Sequence, residues 1–155
     1  MSVKDLQFRQ MTAEDIKAVL EIERECALSP WSFEGYKDEL SRNDSKLIIA
    51  ENKSGNVYEI VGFAAVRLIT SAKEGEILNI AVRPDFRKQG VGTFLLKEIE
   101  GSLKRNRIER IWLEVRKSNP AAQHFYLRNG FEFSGERKNF YTNPPEDALL
   151  MKLYL

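Results

Sequence analysis

The sequence predicts an α/β (α+β) domain built on a mixed sheet. Three observations carry that reading. Short runs of alternating or continuous apolar residues are interleaved with stretches whose apolar positions recur every three or four residues. Residues 77–116 read as strand, glycine turn, long amphipathic helix and strand, an order that makes a right-handed crossover between parallel neighbours. Upstream, two strand-like runs flank the turn cluster Asn52-Lys53-Ser54-Gly55-Asn56, as an antiparallel hairpin requires.

Leu6-Gln7-Phe8-Arg9-Gln10 alternates apolar and polar side chains, the pattern of a half-buried strand. Thr12 followed by Glu14 and Asp15 starts a helix, with a cap residue and then acids in the first turn. Ile16, Val19, Leu20, Ile22 and Glu23 carry the helical pattern to about Ala27, where Ser29-Pro30 breaks it. Ser32 caps a second helix through Tyr36 and Leu40. Trp31, between the two, reads either as a substrate lip or as an anchor for the helix corner. Strands are expected over 46–51, over 57–69 around Gly62, and over 76–82 after a turn at 71–75. Beyond Pro84-Asp85 a helix is expected from near residue 88, with Val91, Phe94, Leu95, Ile99, Ser102 and Leu103 inward and Lys104, Arg105 and Arg107 at a solvated end. In 110–116, Ile111, Leu113 and Val115 face one way, and Trp112, Glu114 and Arg116 the other. Asn119-Pro120 opens a further helix that Gly130 closes. A strand begins at 131–133, 139–147 is expected to be an irregular loop around Pro144-Pro145, and 148–155 is the last strand.

With 155 residues, 43% apolar and 30% charged, the chain is expected to form a single domain, 1–155, with a real core. A net charge of +1 supplies no global field, so neither nucleic acid nor membrane is an expected partner. The sole cysteine, Cys26, excludes an internal disulfide, suits a reducing compartment and reads as a buried thiol. One histidine, His124, read as a surface residue, and no clustered carboxylates leave no metal site. With no leader and no membrane-length apolar run, the expected location is the cytoplasm.

The chemistry starts at Arg87-Lys88-Gln89-Gly90-Val91-Gly92-Thr93. Glycines let the backbone approach a ligand, and amides opening a helix have no partner within it, so the turn suits a phosphate or pyrophosphate. Arg83, Arg87 and Lys88 add positive charge. No lysine follows Gly92 as a Walker loop needs, and Leu95 stands where a dinucleotide fingerprint needs its third glycine. The pattern Arg-x-x-Gly-x-Gly resembles instead the acetyl-CoA loop of the GNAT N-acetyltransferases. The resemblance extends to Leu78-Asn79-Ile80-Ala81-Val82-Arg83-Pro84, Leu113-Glu114-Val115-Arg116, Ser118-Asn119-Pro120-Ala121-Ala122 and Phe125-Tyr126-Leu127-Arg128-Asn129-Gly130-Phe131, in family order. The stretches at 113–116 and 139–141 are most similar to RimI-type enzymes, which acetylate the N-terminal amine of a ribosomal protein, and to archaeal N-terminal acetyltransferases.

That resemblance implies a mostly antiparallel, splayed sheet of roughly six to seven strands flanked by about four helices. It also implies acetyl-CoA as a substrate. Ile80, Ala81 and Val82 would lie along the pantetheine arm, and Lys88, Gln89, Gly90, Val91, Gly92 and Thr93, after Arg87, would offer amides to the pyrophosphate. Asn119 would contact the cofactor, a role that stands beside plain helix capping. Glu114 would be the base, directly or through water, Tyr126 the acid toward the departing thiolate, and the amide of Val82 a holder of the oxyanion. Trp31 and Tyr141 would flank the acceptor, where RimI-type sequences often show two tyrosines and this chain has Phe140 before Tyr141. The acceptor implied is a protein or peptide N-terminus, a ribosomal protein among the candidates; the alternative is a lysine side chain or a small-molecule amine. Transfer is expected to be direct, since no base accompanies Cys26 in sequence. Arg116 stands two positions from Glu114 on the same strand face, and a cation there would depress its pKa; either Arg116 turns away, or Glu114 mainly orders water and attracts the ammonium.

Overall fold

The computed structural model describes residues 5–28 and 31–155. Seven strands and four α-helices follow one another as β1 (Leu6–Gln10), α1 (Ile16–Glu25), α2 (Phe33–Leu40), β2 (Ser45–Ser54), β3 (Val57–Ile69), β4 (Glu74–Val82), α3 (Val91–Arg105), β5 (Arg110–Arg116), α4 (Pro120–Arg128), β6 (Glu132–Thr142) and β7 (Pro145–Tyr154). The sheet order is β1-β2-β3-β4-β5-β7-β6. The expected parallel pair is present: Glu74, Gly75 and Glu76 of β4 pair in parallel with Arg110, Ile111 and Trp112 of β5. The pairs β1–β2, β2–β3, β5–β7 and β6–β7 are antiparallel. Two compact units divide the chain, one of Met1–Arg67 with Leu78–Ser102, the other of Leu68–Ile77 with Leu103–Leu155.

The first unit has its core where the apolar faces of α1, α2 and the inner sheet residues meet. Ile16, Val19 and Ile22 of α1 pack with Tyr36 of α2, Leu47 and Ile49 of β2, Phe63 and Ala65 of β3, and Ala81 of β4. Ser32 caps α2 as its sequence position predicts, its Oγ accepting from Gly35 N at 2.9 Å. Helix α1 ends at Glu25, two residues short of the expectation, and the proposed break at Ser29-Pro30 lies outside the described residues. The β2–β3 turn is also tighter than expected, because Ser54 pairs with Val57 and only Gly55 and Asn56 remain between the strands. Gly62 is required by close approach: a Cβ there would stand 2.9 Å from the Ala81 carbonyl and 3.2 Å from Leu95.

In the second unit the buried residues Ile111, Leu113 and Val115 confirm the alternation expected of β5, and Tyr126, Phe131, Ala148 and Met151 are buried with them. Asn119 caps α4 with Pro120 at its first turn, and Gly130 leaves it with φ 88°. The expectation of an irregular loop at 139–147 is corrected. Strands β6 and β7 run through it as a hairpin, with Thr142 opposite Pro145 and a register shift between Arg137 and Tyr141. Asn139 adopts φ 52° in that irregularity, and Asp147 accepts its amide at 2.8 Å. A side-chain carboxylate thus supplies the partner that the ladder loses at the bulge.

Three carboxylates buried in the first unit are neutralised by arginine. Arg9 reaches Asp15 at 2.8 Å and Glu51 at 2.7 Å, and Arg67 reaches Glu39 at 2.6 Å. The Arg9 hydrogen bonds hold the Asp15 carboxyl below its usual range. A depressed carboxylate stabilises the fold above its unfolded pKa, about 3.9, and that stabilisation is lost as pH falls through the lower folded value. Arg9→Leu is therefore expected to lower stability at pH 7 by about 2 kcal/mol, less than for a fully buried pair because the guanidinium is partly in water. Urea midpoints followed from pH 7 downward should fall in the acid range for the parent chain and lose most of that dependence in the variant.

Candidate active site

The glycine turn is built by a change of backbone handedness. After β4, Phe86 N donates to Arg83 O at 3.0 Å and Arg87 N to Pro84 O at 3.2 Å, and then Lys88 takes φ 59° and Gly90 φ 88°. The helix begins at Val91, three residues later than expected, and Phe94 N donates to Gly90 O at 3.0 Å. Val91, Gly92 and Thr93 form the first turn of α3, where an α-helix offers their amides no carbonyl of its own four residues back. The turn therefore presents a row of backbone donors at the positive end of a fifteen-residue helix.

Two of the three flanking cations, Arg83 and Arg87, are used within the unit. Arg87 donates to Val82 O at 3.1 Å and to Cys26 Sγ at 3.2 Å, and the thiol itself donates to Val82 O at 3.4 Å. Cys26 is consequently half-exposed at the end of β4, not buried as its helical position suggested. Arg83 holds Ile60 O at 2.9 Å and pairs with Glu25. Ala81 is buried, with Ile80 and Val82 half-buried on either side of it. With both guanidiniums committed to protein partners, what the turn offers a candidate anion is chiefly backbone N–H.

Trp31 satisfies the anchor reading directly. Its ring centroid lies 5.0 Å from that of Tyr36, and its amide donates to Glu23 Oε2 at 3.2 Å. Trp31 also lines a cavity of about 390 Å³ with Lys17, Leu20, Glu21, Glu23 and Arg24. The sequence reading passed over Glu23 as one more helical position; the signal was a carboxylate on the apolar stripe of α1.

The second unit gathers the acid–base candidates. Glu114 projects from the polar face of β5, opposite Leu150 of β7, with its side chain 10% exposed. The cation that meets it is Arg137 of β6, at 3.5 Å. Burial pushes the Glu114 carboxyl above the usual carboxylate range; Arg137 opposes this and Glu76 adds to it. Of the two alternatives for Arg116, the first holds: it turns to other partners and is not the cation that acts on Glu114. That guanidinium lies over the Tyr141 ring, 4.0 Å from its centroid, and donates to Pro144 O at 3.3 Å, Glu146 at 3.1 Å and Asn143 O at 3.2 Å. Arg137 has no local signal in the sequence, because an irregular loop is expected at 139–147 and only the hairpin through 132–154 sets this residue against β5.

Tyr126 is 7% exposed and packs edge-on against Phe125 and Phe131. Burial pushes its phenol well above the ordinary range, with a smaller push from Tyr141. Tyr141, half-buried, is also raised, chiefly by desolvation, with Arg116 pulling it down and Glu114 pushing it up. Asn119 uses its Oδ1 to cap α4, accepting from Ala122 N at 3.1 Å. His124 is exposed. Among the described residues no group of three or more His, Cys, Asp or Glu could hold a metal ion, and no helix is long and apolar enough to cross a membrane.

The acetyltransferase (GNAT) family profile matches residues 16–131, from the start of α1 to the residue before β6. The chain belongs to the acetyltransferase (GNAT) family. Among curated members, a [ribosomal protein bS18]-alanine N-acetyltransferase of Haemophilus influenzae is 34% identical, over 94% of this chain and 97% of its own length. The corresponding protein of Escherichia coli strain K12 is 31% identical over 90% of each. The crystal structure of the ribosomal-protein-S18-alanine N-acetyltransferase from Escherichia coli superposes with a TM-score of 0.81 at 28% identity, covering 96% of this chain and 93% of that one. The chain is thus a GNAT acetyltransferase of RimI type with a mixed, mostly antiparallel sheet.

Titration of Glu114 followed by side-chain carboxyl NMR should give a midpoint above that of the exposed glutamates. Removing the cation in Arg137→Ala should move the midpoint further up, and removing the like charge in Glu76→Gln should move it down.

Proposed function

We propose that this chain, as one N-acetyltransferase domain in the cytoplasm, moves the acetyl group of acetyl-CoA directly onto the N-terminal α-amine of a protein, of the kind represented by bS18. The observation that carries this is near-full-length similarity to bS18-alanine N-acetyltransferases at 31% and 34% identity. The glycine turn at the head of α3 and the half-buried Glu114 support it chemically.

Acetyl-CoA is the donor substrate. The amides of Lys88, Gln89, Gly90, Val91, Gly92 and Thr93 hold its pyrophosphate, with Arg87 bracing the turn from beneath. Ile80, Ala81 and Val82 pair with the pantetheine arm, and Asn119, whose Oδ1 is committed to the cap, offers its Nδ2. The amine loses a proton to Glu114, directly or through one water, and its lone pair forms the C–N bond at the thioester carbonyl. Collapse breaks the C–S bond, and Tyr126 hydrogen-bonds and protonates the departing thiolate. A raised carboxyl is a stronger base, which suits proton removal from an amine. The raised phenol stays protonated at working pH, so its contribution is greatest where charge builds on sulfur.

An α-amino group has a pKa of about 7.7–8.0 against about 10.4 for lysine, so deprotonating lysine costs roughly 3.5 kcal/mol more. A carboxylate base favours N-termini on that ground, and Trp31 and Tyr141 flank the acceptor. Glu114→Gln and Tyr126→Phe are each expected to lower kcat by about 10²–10⁴-fold while coenzyme A binding, measured by calorimetry, stays within a few-fold. Gly90→Ala should do the reverse, weakening coenzyme A about tenfold because a Cβ is strained at φ 88°. Mass spectrometry of N-termini, with acetyl-CoA and a panel of peptides, polyamines and lysine-only substrates, tests the acceptor class. Turnover confined to the small amines or to lysine would overturn the assignment.

A further inference from the structure

Four carboxylates in the first unit are nearly or fully buried, and one differs from the rest. Asp15, Glu39 and Glu51 each face an arginine, at 2.8, 2.6 and 2.7 Å respectively. Glu23, 1% exposed on α1, has no cation partner among the described residues. It is met by three neutral donors: Tyr36 Oη at 2.5 Å, Asn79 Nδ2 at 3.1 Å and Trp31 N at 3.2 Å. Desolvation pushes its pKa up against those hydrogen bonds. An apolar residue at this point of the stripe would fill the space without the cost of burying a carboxylate. What the carboxylate does that a leucine would not is tie three separate segments to one point.

Those segments are the ones the transfer reaction uses on this side of the chain. Trp31 is the acceptor-side residue, and its ring rests on Tyr36, which the same carboxylate holds by the hydroxyl. Asn79 immediately precedes Ile80, the first residue read as lying along the pantetheine arm. Trp31 and Glu23 also line the same cavity. We propose that Glu23 is a positioning residue for the acceptor: its carboxylate sets the Trp31 backbone and ring against the end of β4, and so fixes where the acceptor peptide sits beside the thioester. The residue touches neither substrate. This inference rests on the reading of Trp31 as part of the acceptor lip.

The test is a KM-against-kcat comparison on the intact chain. In Glu23→Gln the Oε1 still accepts from Tyr36 and Asn79, but an amide NH₂ replaces the acceptor facing Trp31 N. One charge-assisted hydrogen bond is thereby turned into a donor–donor clash, so KM for the acceptor peptide should rise about tenfold. KM for acetyl-CoA and kcat at saturating peptide should stay within about twofold. Tyr36→Phe, which removes one strand of the tie and keeps the ring stack, should shift the acceptor KM in the same direction by less. Trp31→Ala serves as the reference. A folded Glu23→Gln with unchanged acceptor KM, alongside a raised KM in Trp31→Ala, would overturn the positioning role and leave the lip intact. Unchanged acceptor KM in Trp31→Ala would overturn the lip, and the inference with it. Should Glu23→Gln fail to fold, Tyr36→Phe carries the same comparison, and an unchanged acceptor KM there overturns the proposal.

Discussion

A carboxylate held out of water must find a cation, collect neutral donors or take on a raised proton affinity, and this chain uses all of these solutions. Arginine neutralises Asp15, Glu39 and Glu51, and these pairs belong to the architecture. Glu114 has a guanidinium at 3.5 Å that only partly offsets its burial, so its proton affinity is raised. Glu23 gathers neutral donors from three segments. The same physical constraint therefore separates the arginine-paired carboxylates from Glu114 and Glu23, for which a chemical and a positioning task are proposed, by the partner each is given.

Much of the fold was legible because its signals are local. The strand 6–10, the Ser32 cap, the strand 57–69 and the Asn119-Pro120 start were read at their observed boundaries, since alternation, capping chemistry and proline geometry act within a few residues. The misses share a cause of longer range. Residues 139–147 carry turn-forming chemistry, and what makes them strands is pairing with each other across a bulge stapled by Asp147. The start of α3 slipped from 88 to 91 because positive φ at Lys88 and Gly90 delays the helix, and sequence alone does not show where handedness reverts.

The candidate site followed the same division. Glu114, Tyr126 and the glycine turn were named from motifs. For Glu114 the sequence shows one nearby cation, Arg116, which either turns away or depresses the carboxyl; it turns away, and the cation at 3.5 Å is Arg137, brought there by a strand pairing that local signals do not reveal. Glu23 stood in plain view on the apolar stripe of α1, at the spacing of Ile16 and Val19, and a charge in that stripe is a signal that periodicity alone absorbs. Cys26 was assigned to the interior by its helical phase, yet the helix ends one residue before it and turns the thiol toward the end of β4.

The tip of the β6–β7 hairpin has one more implication. Arg116 grips the carbonyls of Asn143 and Pro144 and stacks on Tyr141, while Glu146, its ion-pair partner, also accepts the Ser118 amide at 2.6 Å just ahead of α4. These contacts tie the tip to β5 and to the start of α4 at several points. On the proposed placement of Tyr141 beside the acceptor, peptides would be sorted by fit to a ready-made surface, and exchange of one for the next would not wait on a loop to open.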